Sequence, residues 1–210
     1  MGTKILLFLR FRGMRVKKAK SKCYLCPSVN AKPLITLHNR QFKPFLSEKE
    51  ILAAVKKIAD EVARDYKDEV PIFVGVLNGA FMFVSDFLKF YPYPCELSFV
   101  KLSSYRGLTS TGIVETLLDV PPNIKGKSVI ILEDIIDTGR TLQELVHLFS
   151  NANVKDFKIA SLFYKSELYN GEYPIDYFGL EIPDKFIVGY GLDYNGLGRN
   201  LRDIYQVIPE

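Results

Sequence analysis

The stretch Ser128-Val129-Ile130-Ile131-Leu132-Glu133-Asp134-Ile135-Ile136-Asp137-Thr138-Gly139-Arg140-Thr141 constrains the fold of this chain more than any other. Val129 to Leu132 is an unbroken apolar run rich in β-branched residues, the composition of a strand buried on both faces, and such strands belong to parallel sheets. The run ends in three acids and a Thr-Gly-Arg-Thr turn, after which Leu142, Leu145, Val146 and Phe149 keep helical spacing. The same alternation recurs on either side. Upstream, Pro71 opens an apolar strand over Ile72 to Leu77 that breaks at Asn78-Gly79. Phe81 to Phe90 then reads as a helix, stopped before Pro92 and Pro94. Downstream, Ile159 to Phe163 is the next strand. Strands alternating with helices predict an α/β fold with a mainly parallel, twisted sheet. Around this frame, Leu34 to Leu37 and Leu97 to Leu102 read as strands, and Ser47 caps a helix carrying Ile51, Val55, Ile58 and Val62 on one face. Ser103 to Gly112 has the composition of a mobile loop, Ile113 to Val120 of a returning strand, and Pro121-Pro122-Asn123 of a turn.

Composition narrows the class. A chain of 210 residues suits one domain, and 48% hydrophobic with 25% charged residues excludes wholesale disorder. No apolar run approaches the roughly 18 residues of a membrane span. Ile5 to Leu9 is shorter than a secretory core of roughly 7–15 residues. Three cysteines make no disulfide framework, so the expected setting is reducing and cytoplasmic, with no membrane partner.

The net charge of +4 is unevenly placed. Residues 1–34 hold nine of the 28 Lys and Arg and no acid, leaving 19 basic against 24 acidic residues beyond them, a net of −5. The basic character therefore belongs to the leader, and no nucleic acid is expected on the folded part. An acid-free basic start resembles a transit peptide or a nucleic-acid arm, but it is poor in Ser. Cys23-x-x-Cys26 is half a zinc knuckle whose other half is missing, and His38 and Cys95 lack motif spacing. We expect residues 1–34 to be a disordered extension and 35–210 the folded domain.

The chemistry gathers at the end of the central strand. Loops leaving the carboxyl ends of parallel strands are where α/β folds bind ligands. Thr138-Gly139-Arg140-Thr141 opens a helix there, so free N–H groups and the positive dipole end form a cradle for a phosphate monoester. Glu133 and Asp134 beside it would repel a phosphate unless hydroxyls or a cation intervene, and ribose hydroxyls and Mg²⁺ both seek hard oxygen acceptors. The residues thus ask for a ribose 5-phosphate with a metal-bound polyanion. A P-loop sequence is absent, and Gly189-Tyr190-Gly191 is followed by Tyr194 where a dinucleotide fingerprint needs glycine.

In its Glu-Asp-Ile-Ile-Asp-Thr-Gly core, Val129 to Thr141 resembles the phosphoribosyl pyrophosphate (PRPP) motif of type I phosphoribosyltransferases, in the form of the hypoxanthine-guanine enzymes. Val76-Leu77-Asn78-Gly79 resembles that family's pyrophosphate loop. Ser104-Tyr105 with Ser110-Thr111-Gly112 resembles its lid, and Glu181 to Asn195 its purine-binding hood. The resemblance implies the type I fold with a hood subdomain formed by about 35–47 and 166–210. It also implies Mg²⁺-dependent transfer of phosphoribosyl from PRPP to N9 of hypoxanthine or guanine, a purine-salvage reaction giving IMP or GMP, with xanthine left open.

By resemblance, Asp137 is the general base near N7 of the purine, and Asp137, Thr138, Gly139, Arg140 and Thr141 hold the 5′-phosphate. Glu133 and Asp134 bind ribose hydroxyls and metal, and Asp193 a second metal. Leu77, Asn78, Gly79 and Arg199 receive the pyrophosphate, and Ser104 and Tyr105 belong to the lid. Lys165 meets the 6-oxo group, Phe186 stacks on the ring, and the backbone carbonyl of Ile187 meets the 2-position. Asn78 stands where many relatives carry Lys, and the resemblance implies a cis peptide before it. A homodimer or homotetramer is implied as well. A PRPP-sensing regulator is the rival reading, with the leader supplying nucleic-acid affinity, and deleting residues 1–34 would separate the two.

Overall fold

A computed structural model describes residues 32–103, 115–118, 124–150 and 152–209. The leader up to residue 31 with Cys23 and Cys26, the expected lid residues Ser104 and Tyr105, and the turn at 121–123 lie outside the described residues.

The chain runs β1 (Ile35–Leu37), β2 (Arg40–Leu46), α1 (Glu48–Asp65), β3 (Ile72–Leu77), α2 (Phe81–Phe90), β4 (Glu96–Ser103), β5 (Glu115–Leu118), β6 (Ser128–Ile136), α3 (Arg140–Ser150), β7 (Asp156–Tyr164), β8 (Tyr177–Glu181), β9 (Ile187–Val188) and β10 (Ile204–Val207). Six strands form one sheet in the order β5-β4-β3-β6-β7-β8. Neighbours from β4 to β8 are parallel, and β5 closes the edge antiparallel. The α/β architecture expected from the sequence, a mainly parallel sheet flanked by helices, is the architecture of the chain. No helix among the described residues is long and apolar enough to cross a membrane.

Each face of the sheet is covered because its strands are apolar on both. On β6, Ile130 and Leu132 join the core under α1 and α2, with Val55, Ile58, Phe83 and Phe87. Val129 and Ile131 turn the other way, to Leu145 and Phe149 of α3. The Ser47 cap is a full capping box, in which the Ser47 hydroxyl accepts from the Glu50 N–H and the Glu50 carboxylate from the Ser47 N–H.

Two features differ from the sequence reading. First, β6 does not stop before its acids. It ladders with β7 through Glu133↔Ser161, Ile135↔Phe163 and Ile136↔Tyr164, so both acids sit inside the strand. Hydrogen bonding to a long parallel neighbour overrides the polarity of two side chains. Second, the small sheet has the order β1-β2-β10-β9, while β8, inside the range 166–210 expected for the hood, pairs with β7 in the large sheet. The hood sheet therefore draws on 35–46, 187–188 and 204–207.

The strand order places the site. From β3 the chain steps outward to β4, and from β6 it steps the opposite way to β7 and β8. Strand order reverses between β3 and β6, and a crevice opens at the carboxyl ends of such a pair. The turns leaving those two ends are Leu77-Asn78-Gly79 and Asp137 to Thr141.

Candidate functional site

Alternation along β6 sends the two acids to opposite faces. Glu133 lines a cavity beneath the turn into α3, together with Ile131, Ile136, Asp137, Gly139 and Leu142. Asp134 faces the other turn, where a Cβ on Gly79 would lie 1.6 Å from its Oδ2. Any side chain there would have to displace the Asp134 carboxylate or the turn. Both acids are buried, at 7% and 9% exposure, and burial pushes both carboxyls up. For Asp134 the rise reaches about 6 because the backbone N–H groups of Ile135 and Asp134 and the nearby Arg199 guanidinium partly offset the desolvation.

Two acceptors at this strand end are orphaned. Glu133 Oε2 and Asp137 Oδ1 are buried with no hydrogen-bond partner among the described residues. Such a group costs about 1–3 kcal/mol unless something satisfies it. Donors from a ligand, hydroxyls or a cation, would do so. Among the described residues no three acid, His or Cys side chains converge on an ion. The donor set is hard oxygen, which suits a cation held by one or two carboxylates with substrate oxygens and water completing its shell.

The turn from Asp137 to Thr141 is built as an anion cradle should be. Gly139 has a φ of +85°, the left-handed region, and its carbonyl accepts the Gln143 N–H at 3.0 Å to start α3. On the other wall, the Leu77–Asn78 peptide is cis. Gly191 presses against this turn, since a Cβ there would lie 2.0 Å from the Gly79 carbonyl oxygen.

Lys165 follows β7 and is only 5% exposed. Its N–H donates to the Ile136 carbonyl at 3.0 Å. Its ammonium donates to Asp137 Oδ2 at 3.1 Å and to Asp184 Oδ1 at 3.3 Å. Asp184 is a contact that the sequence reading missed, because nothing in the local pattern ties it to a residue 19 positions away.

In the hood, Phe186 is 47% exposed and is not core. Its ring lies 5.8 Å from Tyr194 and 6.5 Å from Phe42. Ile187 lies on β9, the edge of the small sheet, so one side of that strand has no strand partner among the described residues. Asp193 and Arg199 are paired at 2.6 Å, while Arg199 Nη1 donates to the Gly191 carbonyl at 2.6 Å. Asp193 Oδ2 also accepts the Gly196 N–H, so both its oxygens are engaged within the hood. Glu133, Asp134 and Asp193, expected to bind metal, do not form one chelating set. An anionic ligand can still be met by the N–H groups that Arg199 has left over.

A family profile for the phosphoribosyl transferase domain matches residues 43–195. The hypoxanthine-guanine phosphoribosyltransferase of Bacillus subtilis is 40% identical over 168 residues, covering 80% of this chain and 93% of that protein. That of Aquifex aeolicus is 36% identical over 173 residues, covering 81% and 97%. A solved hypoxanthine-guanine phosphoribosyltransferase from Bacillus anthracis superposes with a TM-score of 0.74 at 37% identity, covering 79% of this chain and 98% of that one.

Proposed function

The chain belongs to the hypoxanthine-guanine phosphoribosyltransferases within the phosphoribosyl transferase family, and on that premise we propose how its residues divide the work of moving phosphoribosyl from PRPP to N9 of a 6-oxopurine. The observation that carries the assignment is the Lys165 ammonium held between Asp137 and Asp184 at the junction of the phosphate turn and the hood.

An ammonium has three N–H donors and no acceptor. With one on Asp137 and one on Asp184, the third is left for the oxo group of hypoxanthine or guanine. Adenine presents an amino donor at the same place, and mismatching a hydrogen-bonding site costs several powers of ten in discrimination. Phe186 offers an exposed ring face, and the free side of β9 at Ile187 offers backbone acceptors to the far edge of the base.

Asp137, tied to Lys165 through one oxygen, has the other free to receive the proton of N7 as N9 attacks C1′. Thr138 to Thr141 take the 5′-phosphate on backbone N–H groups and hydroxyls at the start of α3. Glu133 and Asp134 would meet the ribose hydroxyls and hold Mg²⁺, which would supply charge neutralisation at the departing pyrophosphate. Leu77, Asn78, Gly79 and Arg199 receive that pyrophosphate. Asp193 keeps Arg199 in place, and it would serve as a metal ligand only by exchanging one of its present partners.

Product formation from PRPP and Mg²⁺ is measured with hypoxanthine, guanine, xanthine, adenine and uracil in turn, for the wild type and Asp137→Asn. Turnover of the first two is expected, with kcat lowered about 10²–10⁴-fold in the variant. Turnover of adenine or uracil in place of hypoxanthine rejects the roles given to Lys165 and Phe186. PRPP binding with no turnover of any base favours a sensor over an enzyme.

A further inference from the structure

The phosphate turn leans on an aromatic side chain from outside the motif. A Cβ on Gly139 would lie 2.6 Å from Cε2 and 2.9 Å from Cδ2 of Tyr169, so the tyrosine ring sits directly against the glycine. Tyr169 is not among the residues lining the cavity bounded by Glu133, Asp137 and Thr138 to Thr141, so the ring meets the turn from outside that cavity.

The ring is itself fixed. The Tyr169 hydroxyl donates to the Tyr173 carbonyl at 2.6 Å and accepts the Tyr173 N–H at 2.8 Å, closing the intervening segment into a loop. Its edge meets the Tyr164 ring at 6.0 Å, and with Tyr173 and Ile175 it packs on Ile136 and Leu142. A second strut lies one turn along, where Gln143 of α3 donates to Glu172 of the same loop.

We propose that Tyr169 is a positioning residue for the 5′-phosphate, its ring holding the Gly139 turn in the conformation whose N–H groups face the ligand. This rests on the phosphate role given above to residues 137–141. The physical reason is the left-handed glycine. A residue at φ +85° has many other conformations open to it when it is glycine, and a rigid ring packed on the backbone removes them. Lys165 starts the same loop, and its carbonyl accepts the Tyr169 N–H at 3.1 Å, a backbone bond that a change of the side chain keeps; its own N–H is held on Ile136 and its ammonium on Asp137 and Asp184. Loss of the ring should therefore loosen phosphate binding and leave the base contact intact.

The test compares Tyr169→Ala and Tyr169→Phe in the full chain. Steady-state KM values are measured for PRPP and hypoxanthine, and ribose 5-phosphate binding is measured by calorimetry. Tyr169→Ala is expected to raise the KM for PRPP and the Kd for ribose 5-phosphate by about tenfold, with the KM for hypoxanthine within about twofold. Tyr169→Phe keeps the ring and should recover most of the loss. A Tyr169→Ala protein with unchanged affinity for both phosphates overturns the proposal. So does one whose hypoxanthine and PRPP constants rise together, the result of general loosening, or one that binds ribose 5-phosphate more tightly, which would make the ring an obstacle. If the wild type transfers no phosphoribosyl to any purine yet Tyr169→Ala weakens ribose 5-phosphate binding, the positioning role stands and the transferase reading falls.

Discussion

Asp134 is a carboxylate inside a β-strand, with burial raising its carboxyl from the usual value to about 6. The native state therefore holds a proton that the unfolded chain has released between about pH 4 and about 6. Its contribution to stability is fully present below the unfolded value and is lost as pH rises through about 6, by on the order of 3 kcal/mol. In the absence of metal and PRPP, thermal melts should show stability falling over this window, and Asp134→Asn should flatten the fall. Identical pH dependence in the two proteins rejects the effect. Asp134, Asp137 and the phosphate turn were legible in the sequence because the chemistry lies on one contiguous strand end, where residue types and spacing carry it. Lys165, Phe186 and Arg199 were reachable only through resemblance. Asp184 and Tyr169 were missed altogether, since each acts on a residue far along the chain and only the folded crossover brings the two together.

The elements legible in the sequence are those whose burial writes a pattern. β3 and β6 are buried on nearly every residue and read as apolar runs, and α1 buries one face from Ile51 to Ala63 and reads by period. β2 carries Pro44 and has only Phe42 fully buried, and β8 has only Tyr177 buried, so neither shows a clean alternation. By residue type alone the turn after β3 is an Asn-Gly break, and only the resemblance makes it a pyrophosphate loop. Its glycine is instead demanded by a neighbour, because Asp134 Oδ2 occupies the space a side chain would need. Gly79→Ala must move either the strand-end acid or the turn. We expect its KM for PRPP to rise about tenfold or more, while its circular dichroism stays native. An unchanged KM would show that turn and acid shift apart without consequence.

At the scale of the molecule, two sheets must be held in register for one substrate to be gripped by both. Asp203 of the hood side accepts the Glu48 N–H at the start of α1, and Gly191 lies on the Gly79 carbonyl. A buried tie is made by Tyr190, 1% exposed, whose hydroxyl donates to Asp86 of α2 at 2.6 Å. Burial and this bond push the phenol well above its ordinary range, so it remains a donor at any working pH. Lys89 occupies the other oxygen of Asp86, which leaves Oδ2 to depend on the tyrosine. Removing the hydroxyl strands that oxygen, and Tyr190→Phe should lose about 1–3 kcal/mol in denaturant unfolding. Because Tyr190 sits between two glycines in left-handed conformations, the loss should also reach the site. Gly191 and Arg199, hydrogen-bonded to each other in both directions, move with it. A double-mutant cycle with Asp86→Ala isolates the tie. A coupling of more than about 0.5 kcal/mol, with a raised KM for PRPP in each single variant, is the expected result. Strict additivity would mean that this hydrogen bond adds nothing to the hold between the two sheets, and that the buried hydroxyl only satisfies its own surroundings.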